Sequence, residues 1–175
     1  MKFEVVEAKA FHCGQISRTL RESHRVLVAH FGVDGHRQLR ARFEESAFRR
    51  AWKIDGHLAA IGGVTGPMLA SSGLIWLAVA GEAMRYPVAM VREARKQLDE
   101  ICVTKRDLYT TIIDGDEESK RFAIFLGFTP DEEGLQPASS KFGRMLLKDR
   151  FEASPARMMV GVGFGTLVRF QPAGG

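Results

Sequence analysis

The sequence predicts an α+β fold organised around a mixed β-sheet, and three observations support this. Residues 74–79 are an unbroken apolar run of strand length, and the apolar stripe of an amphipathic helix follows them. Asp55-Gly56 separates two segments of strand character and is a strong hairpin signal. Residues 107–114 (DLYTTIID) are again rich in strand-forming residues. Because a strand–helix–strand crossover makes its strands parallel and a hairpin makes them antiparallel, we expect a six- or seven-stranded mixed sheet with about four helices.

In the first half of the chain, the pattern predicts a strand, two helices and a hairpin. The first helix would carry Ile16, Leu20, Leu27 and Phe31 along one side, with His24 on the same stripe. A histidine there could act as a base or could simply pack, and packing is the commoner case. The predicted elements are Phe3–Ala8, Phe11–Phe31, His36–Ser46, Phe48–Ile54 and His57–Val64.

In the second half, the central strand Leu74–Val79 leads through a short loop into a helix. Pro87 suits the first helical position, and Gly127 suits the end of a later helix. The predicted helix stripe is Pro87, Val91, Ala94, Leu98 and Ile101, and the further elements are Asp107–Asp114, Glu117–Leu126, Arg144–Phe151 and Met158–Phe170. We expect residues 1–130 to form the core and residues 131–175 to complete the same single domain, with a loose tail from Gln171.

Composition and the positions of turn-forming residues restrict the class of protein. With 45% hydrophobic and 26% charged residues among 175, the chain matches a soluble globular protein. Two distant cysteines, Cys13 and Cys102, form no CxxC or Cys/His cluster, so no metal site is predicted. The charge-free segment 58–81 is long enough to span a bilayer, but glycine-rich turns cut it into strand-sized pieces. The N-terminus lacks the apolar core of a signal peptide, so we expect a cytoplasmic protein with no membrane partner.

The formal net charge of +4 is concentrated in an arginine-rich stretch between Arg18 and Lys53. Such a stretch could meet nucleic acid, but it is more often the solvated side of two helices. Nucleic acid is therefore not the expected partner.

Two segments resemble a known family: LIWLAVA (residues 74–80) before the central loop, and ESKRFAIFLGF (residues 118–128) after the fifth strand. With the order of elements from Phe3 to Phe128, they resemble the GNAT acyltransferase superfamily, whose closing helix typically ends in Gly-Phe. A narrower resemblance is to GNAT-like proteins of tailed bacteriophages, including the internal virion protein family. The residues that carry it are Thr19-Leu20-Arg21-Glu22, Trp76, Pro87 and Arg121-Phe122.

The GNAT resemblance implies acetyl-CoA as cofactor. In GNAT enzymes the fourth and fifth strands splay apart and the pantetheine arm lies in the opening, which would place it along Leu77, Ala78 and Val79. The diphosphate would lie near Gly81, Arg85 and Ala89, at the start of the next helix.

The expected phosphate loop of that family reads Q/R-x-x-G-x-G/A, and this chain departs from it. Met84, Pro87 and Ala89 stand at the three positions, and only Ala89 fits. Glu82 adds a negative charge near the expected diphosphate, for which Arg85 could compensate.

The resemblance also implies direct attack of an amine on the thioester, assisted by a base. The candidates for the proton acceptor are His24, Glu82 and Asp114. The family's tyrosine acid is replaced by Ala123, so water or Ser119 would assist departure of the thiolate. The acceptor would be a small amine or a protein amine.

Three functions remain open at this point. The first is an acetyl-CoA-dependent N-acetyltransferase in a bacterial cytoplasm. The second is a non-catalytic, phage-derived structural protein associated with the virion, and the third is a nucleic-acid-binding module. Homo-oligomers and complexes with virion proteins are both compatible with the sequence. Binding of acetyl-CoA would separate the first function from the second.

Overall fold

The computed structural model describes residues 1–25, 35–113, 116–130 and 165–170. They fall into two compact units, one within Met1–Tyr109 and the other within Thr110–Phe170. Besides helical residues 22–25, the elements are β1 Phe3–Glu7, α1 Ala10–Thr19, α2 Gly35–Glu45, β2 Ser46–Ile54, β3 His57–Thr65, β4 Ser72–Val79, a 3₁₀ helix Gly81–Arg85, α3 Pro87–Cys102, β5 Asp107–Ile113, α4 Glu117–Leu126, β6 Thr129–Pro130 and β7 Gly165–Phe170.

The first unit contains a mixed sheet in the order β1-β2-β3-β4-β5. Neighbours are antiparallel up to β4, whereas β4 and β5 run parallel, with Ser72–Leu74 opposite Asp107–Tyr109. This confirms the predicted α+β class and the parallel pairing of the two strands that flank α3. Seven strands are described in total, β1 to β7, of which β6 and β7 lie in the second unit.

The β2–β3 hairpin turns where the sequence predicts it. Asp55 and Gly56 have φ angles of 49° and 83°, which is the left-handed pair that a two-residue hairpin turn requires. The Asp55 carboxylate also accepts a 2.7 Å bond from the Lys2 N–H, and the Asp55 N–H donates to the Lys2 carbonyl at 2.8 Å. The turn therefore fixes the start of β1 as well as the hairpin.

The predicted continuous helix Phe11–Phe31 is wrong, because α1 ends at Thr19. Leu20 is extended (φ −50°, ψ 139°) and forms an isolated antiparallel bridge with Ala80. The next N–H, that of Arg21, donates to the Val79 carbonyl at 3.0 Å before the chain becomes helical again. Pairing with the end of β4 has overridden the local helical pattern.

Helices cover both faces of the sheet in the first unit. Arg49 lies over the Phe43 ring of α2, whereas its neighbour Arg50 reaches Glu100 of α3 at 3.7 Å. Because successive strand residues point to opposite faces, α2 and α3 lie on opposite sides. The core cluster on the α1–α2 side consists of Ala8, Cys13, Ile16, Leu20, Phe43, Ala51, Ile61, Ala78 and Ala80.

The buried side of α3 is partly as predicted. Its buried residues are Ala89, Met90, Glu93, Ala94, Gln97, Leu98 and Ile101. Ala94, Leu98 and Ile101 confirm the predicted stripe, but Pro87 is exposed and Val91 is only half-buried. The buried side also contains a polar pair that the apolar stripe does not predict, in which Gln97 Nε2 donates to Glu93 Oε1 at 3.0 Å.

In the second unit, α4 has the predicted bounds, Glu117–Leu126, and ends at Gly127 as predicted. The Asp116 carboxylate caps it by accepting from the Ser119 N–H at 3.1 Å, and Gly127 ends it with a φ of 96°. Strands β6 and β7 pair antiparallel. The predicted strand Arg144–Phe151 and tail 171–175 lie outside the described residues, and Met158–Phe170 is represented by β7 alone.

That residues 1–130 and 131–175 form a single domain stays a prediction. Among the described helices, none is long and apolar enough to cross a bilayer.

Candidate functional site

The edge of β4 that faces away from β3 carries backbone N–H and C=O groups that do not bond to β3. The Ala80 N–H donates to the Ala59 carbonyl at 2.8 Å, so even-numbered residues of this segment bond towards β3. Hydrogen-bonded and non-hydrogen-bonded pairs alternate in an antiparallel ladder, so Ile75 and Leu77 direct their N–H and C=O groups to the other side. In the first unit, β5 pairs with β4 only as far as Leu74. Leu77 therefore presents one donor and one acceptor along this edge.

Beyond Leu77 the edge is partly occupied by the chain itself. The Val79 carbonyl accepts the Arg21 N–H at 3.0 Å, and Ala80 forms the bridge with Leu20. The side chains of Ala78 and Val79 are buried. Val79 could therefore contact a cofactor through its N–H and not through its carbonyl.

The segment after β4 is a 3₁₀ helix from Gly81 to Arg85. The Ala83 N–H donates to the Ala80 carbonyl at 3.1 Å, and the Tyr86 N–H donates to the Ala83 carbonyl at 3.0 Å. Glu82 and Arg85 are exposed. A Cβ atom on Gly81 would lie 3.9 Å from the Arg21 Cα, an ordinary contact, so this glycine does not serve a close approach between backbone segments.

Helix α3 begins at Pro87, as predicted, and has no side-chain cap from Tyr86. The Met90 N–H is the first in the helix to donate to a backbone carbonyl four residues earlier, that of Tyr86 at 3.1 Å. Pro87 has no N–H, so the groups without an intrahelical partner in this turn are those of Val88 and Ala89. The first turn carries no acidic residue.

His24 lies beside Arg21, a residue that the sequence analysis did not single out as functional. Its Nε2 atom is 3.1 Å from Arg21 Nη2. Since a guanidinium can only donate, Nε2 must accept this bond and the ring proton must sit on Nδ1. The lone pair that a general base needs is therefore engaged. The sequence pattern does not predict this contact of Arg21, because the position of Arg21 depends on the break at Leu20.

The remaining candidate catalytic residues fall in different units or outside the described residues. Glu82 lies in the 3₁₀ helix of the first unit, and Ser119 lies in the first turn of α4 in the second unit. Asp114 lies outside the described residues.

The centre of β4 is anchored by a tryptophan. Trp76 Nε1 donates to Ser46 Oγ at 2.8 Å, and Ser46 Oγ donates to the Arg42 carbonyl at 2.7 Å. Gly63 is the β3 partner of Trp76, and a Cβ there would lie 2.5 Å from the Phe48 carbonyl oxygen. The glycine is therefore required for this close packing of β2 and β3 beside Trp76.

Two neighbouring residues of the arginine-rich stretch, Arg49 and Arg50, lie on opposite faces of the sheet. Arg49 lies 4.6 Å from the centre of the Phe43 ring on the α2 side, and Arg50 lies 4.3 Å from that of Phe48 on the α3 side. Because these side chains point to opposite faces of the sheet, the arrangement does not favour a single nucleic-acid interface. In the part of the chain that the structure describes, no group of three or more His, Cys, Asp or Glu side chains could hold a metal.

No protein-family model and no curated protein sequence matches this chain. Solved structures do match in fold. The aminoglycoside 6'-acetyltransferase type Ii is 13% identical, with a TM-score of 0.65 over 98% of this chain and 99% of the other. The ribosomal-protein-S18-alanine N-acetyltransferase from Escherichia coli is 9% identical (TM-score 0.62; 99% and 96%). The PaiA N-acetyltransferase from Thermoplasma acidophilum, in complex with coenzyme A, is 10% identical (TM-score 0.62; 98% and 99%). The chain thus has the GNAT-like α+β fold of these N-acetyltransferases.

Proposed function

We propose that this protein is an N-acetyltransferase that takes its acyl group from acetyl-CoA. The observation that carries the proposal is the edge of β4, where Leu77 directs a backbone donor and an acceptor away from β3. A pantetheine arm contains two amides, so it can bond to such an edge as an added strand would. The likeness in fold to N-acetyltransferases, one of them crystallised with coenzyme A, supports the same function.

The pantetheine arm would run along Leu77, Ala78 and the Val79 N–H in this proposal. Gly81, Arg85 and Ala89 remain the predicted neighbours of the diphosphate. This half of the site fits less well than the β4 edge, because the 3₁₀ helix uses most of its own N–H groups.

The reaction would be direct transfer. The acceptor amine loses a proton to a base and attacks the thioester carbonyl; the C–N bond forms, the C–S bond breaks, and the thiolate takes a proton from water or from Ser119. Of the described candidates for the base, Glu82 is exposed and His24 has its Nε2 lone pair engaged by Arg21. We therefore place Glu82 ahead of His24, with Asp114 as the third candidate.

The acceptor is proposed to be an amine. The similar structures named above include enzymes for aminoglycosides and for the alanine of ribosomal protein S18, a small-molecule and a protein acceptor respectively. Both classes belong in the first substrate panel.

The test is release of free CoA from acetyl-CoA in the presence of aminoglycosides and of peptides with N-terminal alanine. Glu82→Gln should lower kcat more than Glu7→Gln, which removes an exposed carboxylate from β1. His24→Ala is compared with His57→Ala, an exposed histidine at the hairpin turn. If neither Glu82→Gln nor His24→Ala changes kcat, neither residue is the base.

The alternative function, a non-catalytic phage-derived protein associated with the virion, stays a prediction, as do oligomers and virion partners. No acetyl-CoA binding and no transfer to any amine would favour that alternative over an acetyltransferase.

A further inference from the structure

The turn after β4 offers few free N–H groups to an anion. The N–H groups of Ala83 and Tyr86 donate to carbonyls within the turn, at 3.1 and 3.0 Å. In a 3₁₀ helix from Gly81 to Arg85, the N–H groups of the last two residues also bond to carbonyls three residues back. Within residues 81–86, this leaves the N–H of Glu82, because the antiparallel bridge between Leu20 and Ala80 directs the Gly81 N–H towards the Thr19 carbonyl.

The first turn of α3 adds two more N–H groups but not a continuous row. Pro87 contributes none, and the Met90 N–H is taken by the Tyr86 carbonyl. Val88 and Ala89 therefore supply a pair of N–H groups that the rest of the 3₁₀ turn separates from the Glu82 N–H. A cradle for a diphosphate needs successive N–H groups that converge on the anion, and this segment does not provide them.

The charge and side chains of the same surface are equally unsuited to a diphosphate. The exposed carboxylate of Glu82 cancels the charge of the exposed guanidinium of Arg85. Of the other exposed side chains, Met84 (39% exposed) and Val88 (79%) are apolar, and Tyr86 (38%) carries one uncharged hydroxyl on an aromatic ring. Residues 81–88 thus present a surface with no net charge, two large apolar side chains and one tyrosine.

Among the described residues, the edge of β4 differs in that Leu77 directs both a donor and an acceptor away from β3. Resting on the acetyltransferase function proposed above, we propose that the protein recognises its thioester donor through the pantetheine arm and gains little from the diphosphate. The donor class would be acyl thioesters of pantetheine in general, and acetyl-CoA would be one member of it.

The test is calorimetry of the full chain with pantetheine, 4′-phosphopantetheine and CoA. A charge-assisted hydrogen bond contributes enough to change an affinity about tenfold or more. We expect the first phosphate to change Kd less than about tenfold, with little dependence on salt. A larger gain from that phosphate would overturn the inference.

The double change Glu82→Gln with Pro87→Ala tests the cause. It removes the carboxylate and adds an N–H at the first helical position, so 4′-phosphopantetheine should bind about tenfold tighter while the affinity for pantetheine stays the same. Asp99→Asn removes an exposed charge near the other end of α3 and should change neither ligand. An unchanged ratio of the two affinities in the double variant would contradict the assigned cause.

The outcomes for the inference and for the proposed function differ. Binding of CoA without binding of pantetheine would leave the acetyltransferase proposal standing and overturn the inference. If none of the three ligands binds at millimolar concentration to a protein whose circular dichroism shows it folded, both fail.

Discussion

Lys105→Met should destabilise the protein, because its ammonium fixes the loop that leads into β4. Lys105 is 6% exposed, and its Nζ donates to the carbonyls of Pro67, Met68 and Ala70 at 2.6, 3.2 and 2.6 Å. Met keeps most of the volume of the side chain but removes all three donors.

The magnitude follows from those three bonds. A hydrogen bond from a charged group contributes about 1.5–3 kcal/mol, and each buried carbonyl left without a partner costs about 1–3 kcal/mol. Two effects reduce the sum: Pro67 and Met68 are exposed, so water can replace the ammonium there, and burial lowers the pKa of Lys105 because the charged form is desolvated. We expect a loss of about 2–3 kcal/mol, which lowers Tm by roughly 4–12 °C in a chain of this size.

The assay is thermal and urea unfolding followed by tryptophan fluorescence. Lys96→Met is the control, since that side chain is 65% exposed and lies 3.7 Å from Glu93. Its change should stay below about 1 kcal/mol. If Lys105→Met and Lys96→Met unfold at the same urea concentration, the three carbonyl bonds contribute nothing measurable and the reasoning is refuted.

Two further predictions concern stability. Burial, with the nearby charge of Lys53, lowers the pKa of His12 below its ordinary 6.5. The folded state therefore binds fewer protons than the unfolded state. The contribution of His12 to stability is full above about pH 6.5 and is lost as the pH falls through the pKa of the folded state. Unfolding at pH 7 and pH 5 should show this loss, and a His12→Gln variant with the same pH dependence would contradict it. Gly63→Ala should cost about 1–3 kcal/mol in urea unfolding, because its Cβ would lie 2.5 Å from the Phe48 carbonyl oxygen. Gly81→Ala, with its nearest contact at 3.9 Å, should be nearly neutral, and equal losses in the two variants would contradict this prediction.

The features that the sequence predicted well are those with a local cause. Asp55-Gly56 adopts the left-handed pair of a hairpin turn, Pro87 begins α3, and Gly127 ends α4 with a positive φ. In each case the residue's own backbone preference and its immediate neighbours favour one structure, so no knowledge of the rest of the fold is needed.

The features that it missed depend on partners distant in sequence. Leu20 continues a helical stripe, and only its bridge to Ala80 breaks the helix there. Lys105 resembles any surface lysine until the loop at Pro67 is placed around it. The candidate site shows the same division. The strand containing Leu77 could be predicted from its own residues, but the hydrogen bond from the Arg21 N–H to the Val79 carbonyl could not.

The break at Leu20 also links the two parts of the candidate site in the first unit. Because Leu20 pairs with Ala80, the next residue, Arg21, can donate its N–H to Val79 and also bring its guanidinium within 3.1 Å of His24 Nε2. Arg21 thus limits which backbone groups of β4 are open to an acyl donor such as acetyl-CoA, and it also holds the ring of His24. A continuous helix through Leu20 would leave the Val79 carbonyl unpaired and remove the backbone anchor that positions Arg21. The orientation of His24 and the extent of the β4 edge are therefore set by one interruption of a helix, which no pattern within that helix reveals.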